Sequence, residues 1–274
     1  MFAASPKPRP LAVTNIEQAC AHDLATSLVG TARVVSLVGA GGKKTTLYAL
    51  ARALRGRVAL SSSSHMAAYD TTVVDEVVTL RVGGRGLPLP TSGRIVAFSG
   101  EAESAQRVHG LSFAQIAQLV ADPSFDHVLL KADGARARWI KAPAAYEPIV
   151  PPDTERVLYL ISARVIGALL DERIAHRVER IAAVCGTHVG APLTVEHLAT
   201  LLSSSAGALQ GIGQAELLIV INMVDNHTLA IQARAVACRA LSKTTRFDRV
   251  VLANMQAARV IDIVTRAAGE ERLR

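Results

Sequence analysis

The sequence predicts an α/β protein in which helices cover both faces of a mostly parallel β-sheet. Short β-branched segments alternate along the chain with longer segments whose apolar residues recur at helical spacing, which is typical of strand–helix–strand units. Hydrophobic residues make up 50% of the chain, but aromatic residues only 4%. Aliphatic side chains must therefore fill the core, as they do in layered α/β proteins.

The first half of the chain opens this alternation with a strand and a helix. Residues 33–38 are rich in β-branched side chains and predict a buried strand, and residues 44–54 follow with leucines at helical spacing. Ser112 and Gln115 form a capping box that opens another helix. Further strands are predicted at 58–60, 72–82, 94–98 and 126–132, with a glycine-rich break at 83–90.

The second half continues the alternation. Strands are predicted at 156–161, 216–221 and 249–252, and helices at 175–184, 195–202, 229–241 and 257–266. The proline-rich start, 1–12, is predicted to be a flexible leader. Because no low-complexity linker divides the remainder, 13–274 is predicted to be a single domain. Polar clusters follow several strands, and ligands of such folds bind at the carboxyl ends of strands.

Bulk properties exclude several classes of protein. No apolar run is longer than that at 217–221, which has the length of a strand, whereas a membrane-spanning helix needs roughly 20 apolar residues. The N-terminus lacks the apolar core of a signal peptide. Three scattered cysteines do not form a disulfide framework, and Cys185 with His188 lacks a second pair of metal ligands. We therefore expect a cytoplasmic protein that does not associate with a membrane.

The chain is basic, with a formal net charge of +7 and a pI near 9.7. Such a balance can indicate a nucleic acid, an acidic partner or a bound polyphosphate. However, no basic run exceeds two residues, and no aromatic side chains interleave the arginines. Nucleic acid is therefore not the expected partner.

A glycine-rich loop lies between the first predicted strand and helix. Glycines let the backbone turn tightly and direct its N–H groups at an anion, and the helix start adds a positive dipole end. A lysine after the last glycine can reach the phosphates, and the next hydroxyl usually ligates Mg²⁺. The predicted phosphate-binding residues are Gly39, Ala40, Gly41, Gly42, Lys43, Lys44, Thr45 and Thr46. This motif specifies the fold as three-layer and P-loop NTPase-like, with ATP or GTP and Mg²⁺ as the predicted ligands.

Two assignments within the loop stay open. The usual pattern is Gly-Lys-Ser/Thr, but here Lys43 is followed by Lys44. Either Thr45 binds the metal ion, or Lys44 holds the phosphates and Lys43 takes a loop position. A glycine-rich strand–helix turn without a ligand is the structural alternative.

An acidic residue follows the predicted strand 126–132. Asp133 is placed to hold Mg²⁺ together with Thr45. The loop after it carries Arg136, Arg138 and Lys141, and arginine suits bidentate phosphate recognition. An ordinary Asp-Gly turn followed by a solvated basic loop is the alternative.

A second polar cluster follows the strand at 216–221. Asn222 and Asp225 resemble the Asn-Lys-x-Asp element with which GTPases recognise guanine, although Met223 takes the place of the lysine. A turn without a binding role is the alternative. We include Asn222 and Asp225 among the predicted nucleotide-binding residues.

Together these motifs resemble the YqeC-like family of accessory proteins for selenium-dependent molybdenum hydroxylases. The matching stretches, spread over roughly residues 30 to 255, are 39–46, 61–66, 131–143, 146–148, His176-Arg177 and 222–225. The resemblance implies a P-loop protein that assists maturation of a molybdenum hydroxylase, with that enzyme as client. It also places His65 among the ligand-binding residues. The chain departs from the family pattern at Lys44, Lys131, Tyr146 and Met223.

Three functions remain open at this point. In the first, a nucleotide-hydrolysing accessory factor, Lys43 holds the phosphates while Arg136 or Arg138 stabilises the developing charge. The second is a non-hydrolysing protein that binds a nucleotide or a molybdopterin nucleotide and docks to a client. The departures favour the second, since two of them place positive charge where Mg²⁺ would lie. The third, a small-molecule kinase, would need Asp70 or Glu147 to activate an acceptor.

Overall fold

A computed structural model describes residues 23–81 and 92–266 of the 274-residue chain. The predicted leader, 1–12, and the predicted glycine-rich break, 83–90, lie outside the described residues. The domain bounds 13–274 accordingly stay a prediction.

A nine-stranded sheet forms the centre of the fold. Its order is β14-β13-β12-β10-β1-β8-β2-β5-β4, and every pair is parallel except β13 and β14. Its strands are β1 Val34–Gly39, β2 Val58–Ser62, β4 Glu76–Thr79, β5 Ile95–Ser99, β8 His127–Lys131, β10 Arg156–Ser162, β12 Glu216–Asn222, β13 Arg249–Asn254 and β14 Arg259–Thr265.

Helices cover both faces of this sheet. They are α1 Leu24–Leu28, α2 Lys43–Ala53, α3 Phe113–Ala121, α4 Val178–Cys185, α5 Val195–Ser203 and α6 His227–Lys243. The first two share an apolar core with Leu37 and Leu160 on one face. The other four pack on the opposite face, to which Val34 and Val38 point. This confirms the predicted three-layer, mostly parallel α/β fold, which is that of P-loop NTPase-like proteins.

Two small sheets lie beside the main one. One contains β3 Met66–Ala67, β6 Ala102–Ser104 and β7 Arg107–Val108 in the order β3-β7-β6, and the other pairs β9 Ile140–Lys141 with β11 Ala175–His176. They organise the chain that follows β2 and β8, so they shape the carboxyl edge of the large sheet.

The central strands are buried along their whole length. All residues of β1, β2, β5 and β10 are buried, as expected for strands covered on both faces. Ser36 is the polar exception within β1, and its hydroxyl forms a 2.8 Å hydrogen bond with that of Thr154. The aliphatic composition seen in the sequence therefore reflects a sheet enclosed between helical layers.

Three sequence predictions of secondary structure need correction. The helix predicted at 257–266 is wrong, because β14 occupies Arg259–Thr265 and pairs antiparallel with β13. Its apolar residues fit helical spacing, but they are β-branched valines and isoleucines, which favour a strand. The helix predicted at 175–184 begins only at Val178, after the short strand β11. The strand predicted at 72–82 is confined to β4.

Within residues 23–81 and 92–266, no helix combines the length and the apolar character needed to cross a lipid bilayer.

Gly39 fixes how closely β1 approaches β10. Its φ is 84°, and a Cβ added there would overlap the carbonyl oxygen of Leu160. Gly167 has a similar φ of 80°, but no atom lies within 4 Å of the position a Cβ would take. An alanine at Gly167 would therefore meet only the cost of a left-handed backbone, whereas an alanine at Gly39 would also meet a steric clash.

We predict that Gly39→Ala destabilises the protein more than Gly167→Ala. A left-handed alanine costs about 1 kcal/mol, and overpacking at Gly39 adds about 1 to 3 kcal/mol. Urea denaturation should show a free energy of unfolding lowered by about 2 to 4 kcal/mol for Gly39→Ala and about 1 kcal/mol for the control. Equal losses in the two variants would contradict the close approach of the two strands.

Candidate functional site

The loop between β1 and α2 leaves the start of the helix open. The N–H groups of Ala40 and Gly41 donate to the carbonyls of Leu160 and Arg138, at 2.8 and 3.0 Å. Helix α2 begins after Gly42, and no side chain caps it. The N–H of Thr46 makes the first helical bond, to Gly42, so the three N–H groups of residues 43–45 precede it. A helix start of this kind is suited to an anion.

Asp133 joins this loop to the chain that follows β8. Its carboxylate is 2% exposed and accepts a hydrogen bond from the N–H of Gly39 at 2.9 Å. Nζ of Lys43 lies 2.9 Å from Oδ1, and Nζ of Lys141 lies 2.9 Å from Oδ2. Lys43 also donates to the carbonyl of Gly39. Burial lowers the pKa of Lys43, and the charge of Asp133 opposes that shift.

The ammonium group of Lys141 has all its contacts within the protein. Besides Asp133, its ammonium contacts Glu147 and the carbonyl of Gly134, each at 2.7 Å. An ammonium has three N–H groups, so these contacts occupy all of them. Glu147 also binds Arg177 at 2.6 Å. The predicted role of Lys141 as a nucleotide ligand therefore has little support in this arrangement.

Lys131 brings a third ammonium to the same edge of the sheet. It is the last residue of β8, and its Nζ donates to Ser64 Oγ at 2.7 Å and to the carbonyl of His65 at 3.1 Å. Burial, and then the charge of Lys43, lower its pKa to about 7. A bound anion beside the ammonium would oppose both effects.

The charges at this edge do not balance. The cations are the buried Lys43 and Lys141 and the half-buried Lys131 and Arg177, whereas the carboxylates beside them are the buried Asp133 and the half-buried Glu147. Lys43 and Lys131 each retain at least one N–H with no acceptor among the described residues. Buried charges are normally compensated, so the cluster is suited to bind an anion at the start of α2.

Arg136 and Arg138 add free cations beside the loop. Neither side chain forms a hydrogen bond or an ion pair with the part of the chain that the structure describes. The backbone of Arg136 and Ala137 is left-handed, with φ values of 47° and 58°. Such strain in two consecutive non-glycine residues is typical of functional sites. Both arginines are therefore available to a ligand.

Asn222 secures the loop from the other side. Its Nδ2 donates to the carbonyl of Gly41 at 2.8 Å, and its Oδ1 accepts from the N–H of Met255 at 2.9 Å. A Cβ at Gly42, where φ is 106°, would lie 2.5 Å from Asn222 Nδ2. The side chain is 2% exposed and uses both polar atoms on the backbone. Asn222 thus positions the loop.

Asp225 is held within a small cavity. Its Oδ2 lies 2.6 Å from the guanidinium of Arg164, and its Oδ1 accepts from Asn254 Nδ2 at 3.0 Å. These residues line a cavity of about 60 Å³ together with Thr45 and Asn222. Arg164 and Asn254 thus orient the Asp225 carboxylate at the edge of this cavity.

The remaining predicted ligands lie around the loop. Lys44 is directed away from it, because its Nζ donates to the carbonyl of Ala68 at 2.7 Å and lies 5.5 Å from the ring centre of Tyr48. The hydroxyl of Thr46 bonds to the carbonyl of Gly42 at 3.0 Å. His65 is half exposed and contacts Glu103 at 3.0 Å.

A magnesium ion does not fit the charges of this arrangement. Asp133 shares its carboxylate with two ammonium groups, whereas Thr45, the other predicted ligand, lines the cavity at Asp225. Mg²⁺ requires several oxygen ligands. Two like unit charges 4 Å apart repel by about 4 kcal/mol at an effective dielectric constant of 20, and a dication doubles this. Among the described residues, no group of three His, Cys, Asp or Glu side chains could hold a metal ion.

Sequence reasoning missed some residues of this site. Arg164 and Asn254 hold Asp225 although they lie 61 and 29 positions away along the chain. No local pattern could have indicated them. Ser64 was part of the family match, but its contact with Lys131 depends on β2 and β8 lying side by side.

The fold and this site define a class, namely α/β proteins with a P-loop-like strand–loop–helix at the carboxyl edge of a parallel sheet. The family described as "YqeC protein" matches residues 35–179, just over half of the chain. The chain is also 30% identical over 186 residues to "Uncharacterized protein YqeC" of Escherichia coli (strain K12), covering 66% of this chain and 72% of that protein. The chain belongs to the YqeC family. No solved structure matches it significantly.

We predict that Glu147→Gln removes a pH-dependent part of the stability. Burial would raise the pKa of Glu147, but Arg177 and Lys141 hold it at about 2, below its usual 4.5. Because the folded pKa is depressed, this stabilisation is complete above pH 4.5 and is lost as the pH falls towards 2. Breaking a buried pair costs about 3 to 5 kcal/mol, which urea denaturation at neutral pH should show.

The matched control is Glu103→Gln. Hydrogen bonds from His65 and Arg107 also hold the pKa of Glu103 at about 2, but this carboxylate is exposed. Solvent screens its ion pairs, so Glu103→Gln should change the stability little at any pH. An equally small effect of Glu147→Gln would show that its ion pairs do not stabilise the fold.

Proposed function

We propose that the protein is a P-loop nucleotide-binding accessory factor in the maturation of a selenium-dependent molybdenum hydroxylase. The observation that carries the binding part is the surplus of positive charge at the uncapped start of α2. Polyphosphate is the biological anion that such a site suits best. ATP and GTP are the candidate nucleotides.

Each part of the site has a defined task in this proposal. The N–H groups at the start of α2 and the ammonium of Lys43 bind the terminal phosphates. Arg136 and Arg138, whose side chains have no partners among the described residues, reach the same phosphates from the neighbouring loop. Asn222 keeps the loop in position through Gly41. Were hydrolysis to occur, the two arginines would stabilise the developing charge.

The choice between hydrolysis and binding alone depends on the metal ion. A nucleotide-hydrolysing accessory factor would use Mg²⁺ held by Thr45 and Asp133. The ammonium groups on the Asp133 carboxylate favour the second, a protein that binds a nucleotide or a molybdopterin nucleotide without hydrolysing it. The client enzyme is supported by the resemblance of the motifs to the accessory family.

We expect Lys43→Ala to weaken nucleotide binding about 10- to 100-fold, since a hydrogen bond from a charged group contributes about 1.5 to 3 kcal/mol. Trp139, the single tryptophan, is the probe, because its carbonyl accepts from Ser162 beside the loop. Its fluorescence would be followed during titration with ATP, GTP and a molybdopterin dinucleotide, with phosphate release measured in the same samples.

Lys243→Ala is the control, because Lys243 pairs with Glu196 on α5, away from the loop. It should bind like the unmodified protein, and Lys43→Ala should still fold because Asp133 keeps Lys141. Absence of saturable binding to all three ligands would refute the proposal. Equal affinity in Lys43→Ala would place the nucleotide elsewhere.

The client part has its own test. Purified protein loaded with whichever nucleotide binds should associate with a purified molybdenum hydroxylase apoprotein, as measured by light scattering. Association should weaken when the nucleotide is omitted. No association with or without nucleotide would remove the accessory role and leave a nucleotide-binding protein.

A further inference from the structure

The position of Lys131 relates it directly to the phosphate loop. At the end of β8 it lies in register with Leu37 of β1 on one side and with Ser62 of β2 on the other. The first of these strands leads into the loop, and the second leads into the segment that ends at Ser64. Lys131 therefore stands between the two chain segments that border the start of α2.

The contacts of Lys131 leave its charge uncompensated. Its two hydrogen-bond acceptors, Ser64 Oγ and the carbonyl of His65, are both neutral. Asp133 is the nearest carboxylate along the chain, but it is already shared by Lys43 and Lys141.

The other charged groups around Lys131 do not supply the missing negative charge. Lys43, Lys141 and Arg107 add positive potential at its ammonium, and the charge of Asp133 opposes them. Arg107 is paired with Glu103, which also contacts His65. A bound anion would therefore compensate Lys131, whereas a further cation would not.

We propose that Lys131 supplies the counter-charge that a divalent metal ion supplies in other phosphate sites, so that this protein binds nucleotide phosphates without Mg²⁺. The inference rests on the proposed function and specifies the ligand as the metal-free polyphosphate. One N–H of Lys131 and one of Lys43 remain for phosphate oxygens. A phosphate site that uses Lys131 in place of Mg²⁺ explains both why Mg²⁺ does not fit at Asp133 and why positive charge is in surplus there.

The test compares ATP and GTP binding in excess Mg²⁺ and in excess EDTA, by the fluorescence of Trp139. For the unmodified protein, the dissociation constant in EDTA should be equal to that in Mg²⁺ or lower. Lys131→Met, which keeps the aliphatic stem, should weaken binding about tenfold in EDTA. Lys131→Glu should bind only when Mg²⁺ is present, because its carboxylate repels the free phosphates.

Lys243→Glu is the matched charge-reversal control and should bind equally in both conditions. Binding of the unmodified protein only with Mg²⁺ would overturn this inference and leave the proposed function intact. Unchanged affinity of Lys131→Met in EDTA would also overturn it. Absence of binding in both conditions would refute the proposed function itself. If a Lys131 variant does not fold, as judged by circular dichroism, the comparison of Mg²⁺ with EDTA in the unmodified protein still decides.

Discussion

The shared carboxylate of Asp133 is the interaction on which the rest of the site depends. It receives the N–H of Gly39 from the end of β1, the ammonium of Lys43 from the first turn of α2 and the ammonium of Lys141 from β9. Two chain segments, the end of β1 with the start of α2 and the chain from Asp133 to Lys141, therefore meet at one buried anion, although Gly39 and Asp133 lie 94 positions apart. Removing a partner from such a buried network leaves an uncompensated charge, which is far more costly than losing an exposed ion pair.

The buried polar groups around Asp133 divide into those that hold the fold and those left for a ligand. Glu147 forms ion pairs with both Lys141 and Arg177. Both polar atoms of the Asn222 side chain form hydrogen bonds with the backbone. These groups hold the loop in its position. Lys43 and Lys131 retain N–H groups, and α2 begins without a cap. A preorganised binding site has this division, since rigid neighbours reduce the entropy lost when a ligand binds.

Much of the fold follows from local sequence patterns, but the roles within the site follow less well. The strand at 33–38, the capping box at Ser112 and the alternation of strands and helices are local signals, and the structure contains them. The helix predicted at 257–266 is wrong because its apolar residues fit helical spacing, while most of them are β-branched and favour the strand that forms there. Lys141 forms an ion pair with Glu147, and Asp225 forms one with Arg164. Both pairs depend on the tertiary structure, which residue spacing in the sequence does not indicate.

We expect phosphates to bind at the start of α2 against ammonium groups and not against a metal ion. A crystal structure with a non-hydrolysable ATP analogue, grown with Mg²⁺ present, tests this most directly. It should place phosphate oxygens on the N–H groups of 43–45 and on Nζ of Lys43 and Lys131, with the ammonium groups of Lys43 and Lys141 still at Asp133. Phosphates bound away from α2, or a Mg²⁺ ion on the carboxylate of Asp133 with Lys43 displaced, would contradict it.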